Sequence, residues 1–134
     1  MEEQIAVITF NFEALSLRPH YGSLNNLATA VLTSYLQTGM MKNLEEAITY
    51  SCEALSLCPP GHPNRPTSLD ILANAVFIRY EQSHRMEDLE EVIAHRREAL
   101  SLHPPNHPVC SKSLNDLANA VLARYVQSAR GRRS

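Results

Sequence analysis

Cysteine and histidine are the residues of this sequence whose spacing could support chemistry. Cys58 and His62 stand four positions apart in the stretch CPPGHPNRP. A second proline-rich stretch, HPPNHPVC, holds three more such residues: His103, His107 and Cys110. Such spacings suit a zinc site, whose ligands lie about 2.0–2.3 Å from the ion. His107 and Cys110 could also pair as base and nucleophile.

These residues recur because the chain is repetitive. Sliding residues 43–83 forward by 45 positions gives 24 identities in 41 positions, and a degraded earlier copy precedes them. In this register Cys58 aligns with His103. His62 aligns likewise with His107. Equivalent residues of stacked copies should lie about 10 Å apart, too far to share an ion. We therefore expect a structural loop, with no metal site, no catalytic residue and no cofactor.

Composition excludes several classes of protein. The chain has 134 residues, 44% of them hydrophobic and 19% charged, which is typical of a globular domain. A net charge of −2 argues against nucleic-acid binding, and we expect residues 130–134 to be a solvated basic tail. No apolar run approaches the ~20 residues of a membrane span. Three cysteines without a CxxC pair favour a reducing, cytoplasmic location.

The apolar residues of each copy follow a helical period. Residues 68–83 carry a stripe on one helix face: Leu69, Leu72, Ala73, Val76, Phe77 and Tyr80. Residues 23–37 and 112–129 repeat this stripe, and we name these three segments the first-type helices. Their equivalent tyrosines should be core anchors: Tyr35, Tyr80 and Tyr125. A different stripe marks the second-type helices, predicted at about 2–17, 43–57 and 88–102.

Start and stop signals bound the six predicted helices. The prolines follow the EALSL segments, and proline cannot continue a helix. Asn43 and Asp88 each precede a glutamate by three residues, which predicts capping boxes at two second-type helices. Thr67 gives a similar start signal for a first-type helix. Cys52, on a second-type helix, is predicted to be a small core residue.

The helix pair resembles a tetratricopeptide repeat through the pattern LANAV…LEEVI…REALSLHP. Leu72 and Ala73 match the leucine and small residue of that family's first helix, and Ala99 and Pro104 match its late alanine and terminal proline. The 45-residue period exceeds the usual repeat of about 34. It is similar to kinesin light chains, and closer still to fungal aromatic di-alanine and tetratricopeptide proteins with CHAT or NTPase modules. The resemblance implies an all-α, right-handed α-solenoid of antiparallel helix hairpins.

Residues 1–129 are accordingly predicted to form a single tetratricopeptide-like domain. Two complete pairs, at about 23–57 and 68–102, are flanked by the orphan helices 2–17 and 112–129. The final helix then has apolar stripe residues with nothing after them to cover them. Three explanations stay open: a fragment of a larger multi-repeat protein, association of copies through their ends, or orphan helices that cap the stack.

The resemblance also implies a binding face. The first-type helices would line the concave side of the solenoid, where related asparagines hold the backbone of an extended peptide. The matching positions, with arginines that could contact a carboxylate, are Asn25, Asp70, Asn74, Arg79, Asn115, Asn119 and Arg124. The sequence therefore predicts a non-enzymatic scaffold for a protein or peptide partner, with no membrane or nucleic-acid contact. The alternative is a structural spacer or self-association segment.

Overall fold

The computed structural model describes residues 20–103 and 109–133, and this part of the chain is built from α-helices. In chain order they are α1 (Tyr21–Thr38), α2 (Met41–Ser56), α3 (Arg65–Ser83), α4 (Met86–Ser101) and α5 (Val109–Arg133). No β-strand occurs within the described ranges. The prediction of an all-α fold is confirmed. The predicted helix 2–17 lies outside the described residues.

The two short turns between paired helices share one geometry. Gly39 ends α1 and His84 ends α3, both with a left-handed backbone, at φ 73° and 56°. Their backbone N–H groups donate to the carbonyls of Tyr35 and Tyr80 respectively, each at 2.7 Å. Glycine adopts this conformation freely, whereas a histidine is strained there. Two residues thus reverse the chain, so that α1–α2 and α3–α4 are antiparallel hairpins.

Helices α2 and α4 begin two residues earlier than predicted, and the capping prediction is wrong. Neither helix has a side-chain cap, and Asn43 and Asp88 lie inside the first turn. Their side chains reach the preceding helix instead. The Asn43 amide donates to the Ser34 hydroxyl at 3.3 Å, and the Asp88 carboxylate accepts from the Arg79 guanidinium at 2.8 Å. Each of these side chains therefore bonds to the neighbouring helix and does not cap its own.

Helix α3 also begins earlier than predicted, at Arg65. Pro66 occupies its first turn, where the missing N–H breaks no intrahelical bond. Thr67 therefore lies within the helix and does not cap it. Helix α1 is capped by His20, whose Nδ1 accepts from the Gly22 N–H at 3.1 Å. A histidine cap has no common sequence signature, which explains why it was not predicted.

First-type stripes packed against second-type helices form the core. In α3 and its equivalent α1, four residues of each stripe are at most 7% exposed: Leu69, Ala73, Val76 and Tyr80, and Leu24, Ala28, Val31 and Tyr35. Alanine at the crossing points lets the helix axes approach to about 8–10 Å. The core role predicted for the tyrosines holds in α1 and α3. It is wrong for Tyr125, which is 67% exposed on α5.

The helices stack in chain order. Each helix from α2 to α5 packs against the one before it, and α1 also contacts α3. Along their described residues, α3 and α5 do not come this close. A gap between two first-type helices therefore opens at the C-terminal side of the stack.

Enlarging an alanine at a crossing should splay a hairpin. We expect Ala73→Leu to destabilise the protein by about 1–3 kcal/mol, because Ala73 is fully buried between α3 and α4. Urea denaturation followed by circular dichroism measures the change. The control is Ala94→Leu on the exposed side of α4, which should stay within about 0.5 kcal/mol of the parent. Equal effects of the two substitutions would contradict this account of the core.

Candidate functional site

The cysteine and the histidine of the proline-rich loop between α2 and α3 make contacts within the protein. Cys58 is fully buried, and its sulfur lies 3.7 Å from the Ser68 hydroxyl. The His62 Nδ1 accepts from the Asn64 N–H at 3.1 Å, and its ring lies edge-on to that of Tyr21 at 4.9 Å. Within the described residues, no three potential ligands converge to hold a metal ion. His107, from the other loop, lies outside them.

Arg65 fastens this loop to helix α4. Its guanidinium donates to the Glu98 carboxylate through Nε and Nη2, and Nη1 donates to the Cys58 carbonyl at 2.9 Å. The hydrogen bond from Arg65 lowers the pKa of Glu98. Arg65 therefore holds the loop between α2 and α3 against helix α4.

Cys52 is exposed, so its prediction as a core residue is wrong. It lines a shallow depression between α2 and α4 together with Glu91 and His95. Burial, assisted by the charge of Glu91, raises the pKa of the Cys52 thiol, and burial lowers the pKa of His95. A nucleophilic cysteine needs a lowered pKa. The pKa of Cys52 is shifted in the opposite direction.

Three predicted peptide-binding residues occupy equivalent positions but different environments. Asn25 is 7% exposed, and its amide donates to the Ser68 hydroxyl of α3 at 3.1 Å. Asp70 is half-buried, and burial raises the pKa of its carboxyl group despite the nearby positive charge of Arg96. Asn115 is exposed on α5. This position therefore links two helices where the next first-type helix covers it, and faces solvent where no described helix does.

Asn74 belongs to a cluster that joins α3, α4 and α5. Its Oδ1 accepts from the Arg96 guanidinium at 3.2 Å. Arg96 is only 8% exposed, lies 5.9 Å from the Phe77 ring centroid, and pairs with Asp116 at 3.5 Å. Burial lowers the pKa of Arg96. The Asn74 side chain is thus held in place by Arg96, although Asn74 itself is exposed to solvent.

Arg79 and Arg124 make equivalent ion pairs between neighbouring helices. Arg79 contacts Glu45 on α2 at 3.3 Å, and Arg124 contacts Glu90 on α4 at 3.4 Å. Both pairs are 34 residues apart, and the second pair is the first shifted by one 45-residue repeat. That shared spacing is a sequence signal for the contact. Arg79 also donates two hydrogen bonds to Asp88, so acidic residues of the protein itself balance its positive charge.

A groove of about 410 Å³ lies between α3 and α5. Its lining combines apolar and polar side chains, among them Phe77, Tyr80, Asn119, Leu122, Val126 and Arg130. Asn119 is the predicted binding residue that lines it. The other lining residues were not predicted to bind a partner, because the groove depends on how far α5 stands from α3.

A depression of about 500 Å³ around Arg79 is larger but polar. The acidic residues that line it include Glu45 and Asp88, which already pair with Arg79. An apolar floor with a few polar groups is the usual character of a binding pocket. The groove between α3 and α5 has that character, and we call it the α3–α5 groove.

The chain matches no family model and no curated protein. None of its described helices combines the length and apolar character that a membrane crossing requires.

The two equivalent arginines should differ in their contribution to stability. Arg79→Ala leaves the Asp88 carboxylate buried without its strongest partner, and we expect a loss of about 1–3 kcal/mol. Arg124→Ala is the matched control. Its partner Glu90 is exposed to solvent, so the loss should be about 0–1 kcal/mol. Urea denaturation of both variants tests this, and a larger loss for Arg124→Ala would contradict it.

Replacing Asp70 with the asparagine of the other copies should stabilise the protein in a pH-dependent way. The pKa of Asp70 is raised above its ordinary value of 3.8, so the folded state binds its proton more tightly than the unfolded state. Its contribution to stability is present below pH 3.8 and is lost as the pH rises. We therefore expect Asp70→Asn to gain up to about 1 kcal/mol at neutral pH.

The pH dependence distinguishes this explanation from a packing effect. Urea denaturation between acid and neutral pH should show the advantage of Asp70→Asn shrinking as the pH falls toward 3.8. The control is Glu87→Gln, at an exposed position of α4. Its free energy of unfolding should stay within about 0.5 kcal/mol of the parent at every pH. A gain that does not vary with pH would show that the carboxylate charge is not its cause.

Proposed function

We propose that this chain is a non-enzymatic protein-interaction module of the tetratricopeptide type. Its helix hairpins form a right-handed α-solenoid, and the first-type helices line the concave face that receives a peptide or protein segment. The observation that supports this best is the α3–α5 groove, whose volume of about 410 Å³ suits one or two bulky side chains. The module works inside the cell without a cofactor.

The groove would hold an extended segment by two kinds of contact. Leu122 and Val126 are 60% and 40% exposed and, with Phe77, provide an apolar floor for a large side chain. Asn119 offers both a donor and an acceptor beside that floor, which matches the backbone of an extended peptide. Affinity would come from apolar burial, and the asparagine would orient the chain.

The charged groups at the rim favour a partner of mixed polarity. Arg130 and Glu81 both line the groove and carry opposite charges. These opposite charges give the groove no strong preference for an acidic or a basic peptide. We therefore expect recognition to depend on a large apolar residue more than on charge.

A selection from a displayed library of random peptides tests this proposal. Peptides that bind the purified chain should be enriched in large apolar residues. Fluorescence anisotropy then measures their affinity for variants. We expect Val126→Glu to weaken binding by roughly tenfold or more, because it places a charge on the apolar floor. Asn119→Ala should weaken it less, by a few-fold.

The matched control is Leu36→Glu. Leu36 is the equivalent of Val126 on α1, is 65% exposed, and lies outside the groove. Its substitution should leave peptide affinity unchanged. Failure to select any peptide would contradict the proposal. Selected peptides that bind the Val126→Glu and Leu36→Glu variants equally well would also contradict it.

A further inference from the structure

One face of α5 is uncovered although the same face is buried in α1 and α3. We define this hairpin face on α5 by Leu114, Ala118, Val121 and Tyr125, which occupy the positions of Leu69, Ala73, Val76 and Tyr80 on α3. In α3 none of the four is more than 7% exposed. On α5, Leu114 is 55% exposed, Tyr125 is 67% exposed and Ala118 is also exposed, whereas Val121 is half-buried against the core.

On the side that faces α4, helix α5 is packed as α3 is packed against α2. Ala120 and Ser113 are buried, as are their α3 equivalents Ala75 and Ser68. Arg124 pairs with Glu90 on the preceding second-type helix, just as Arg79 pairs with Glu45. Helix α5 therefore packs on α4 as α3 packs on α2, although α5 stands farther from α3 than α3 does from α1. What it lacks, among the described residues, is the second-type helix that completes a hairpin.

The partner that fits this face is identified by what covers it elsewhere. Helix α4 presents Leu89, Val92, Ile93 and Ala99 to the core, all at most 2% exposed. Residues 2–17 end in the same EALSL sequence as α4. In that alignment Val7, Ile8 and Ala14 stand at the positions of Val92, Ile93 and Ala99, while Gln4 replaces Leu89. The segment thus carries the sequence pattern of a second-type helix.

This segment cannot cover α5 of its own chain. Three residues, 18–20, join it to α1, and the four Cα–Cα steps from residue 17 to residue 21 span about 14 Å at most. Two helix spacings, roughly 16–20 Å, separate the first-type helices α1 and α5, because α3 lies between them. The hairpin face of α1, which is within reach, is already buried under α2. Among the segments of this sequence, residues 2–17 of a second copy can therefore reach α5.

We infer that the hairpin face of α5 in one copy docks residues 2–17 of a second copy. The two elements then form a hairpin between chains, equivalent to α3–α4 within one chain. The contact is heterologous, because two different surfaces meet, and each copy keeps one free surface of each kind. Copies of this chain should consequently join head to tail, with an association that grows with concentration.

Sedimentation velocity on two complementary variants tests the inference. The α5 variant carries Leu114→Glu and Tyr125→Glu, both at exposed positions that should not disturb folding. The segment variant carries Val7→Glu and Ile8→Glu. The parent chain should form a series of oligomers as its concentration rises. Each variant alone should associate at least roughly tenfold more weakly.

Mixing the two variants distinguishes a head-to-tail contact from a symmetric one. The α5 variant keeps an intact segment 2–17, and the segment variant keeps an intact α5. An equimolar mixture should therefore form a dimer that cannot extend further. A segment variant that associates as the parent does would overturn the inference in favour of contact between two α5 helices. A parent chain that stays monomeric at every concentration would also overturn it.

Two further variants keep this result separate from peptide binding. Leu36→Glu places a charge on an exposed leucine outside the hairpin face and should leave association unchanged. Asn119→Ala alters the α3–α5 groove and should also leave it unchanged. Loss of association in either variant would contradict docking on the hairpin face. The inference does not depend on whether the groove binds peptides.

Discussion

The close approach of a first-type helix and its second-type partner is the constraint on which the described structure depends. Helices α1 and α3 each carry an apolar stripe with an alanine at the crossing point, Ala28 and Ala73, and both alanines are fully buried. Small side chains there let the larger neighbours interdigitate. The two-residue turns and the proline-rich loop serve this contact, because they hold successive helices at the spacing that it requires.

Equivalent positions of the repeat have acquired different roles as their surroundings changed. Asn25 is covered by α3 and bonds to Ser68, whereas Asn115 on α5 faces solvent. Asp88 and Asn43 occupy equivalent positions, and each contacts the residue nine positions before it, Arg79 or Ser34. The side chains differ and the contact persists. The repeat therefore preserves the geometry of contacts more strictly than their chemistry.

The helical fold was largely predictable from the sequence, since apolar spacing and proline positions depend on local chemistry. Helix starts were less so, because Asn43 and Asp88 find partners on another helix instead of capping their own. The candidate site was the hardest part. Asn119 follows from the repeat, but the groove it lines exists because α5 stands away from α3, a distance that many side chains determine together.

Arg96 places a buried charge at the junction between α4 and α5. The equivalent residue in α2, Ser51, is fully buried and satisfied by the Ala47 carbonyl at 2.8 Å. Arg96 brings a charge to that position, and its buried Nε has no hydrogen-bond partner among the described residues. Such burial is costly. The α4–α5 junction is therefore weaker than the interior of either hairpin. An opening at this junction would free α5 while the two hairpins stay folded, and the amide protons of α5 would then exchange before those of the hairpins.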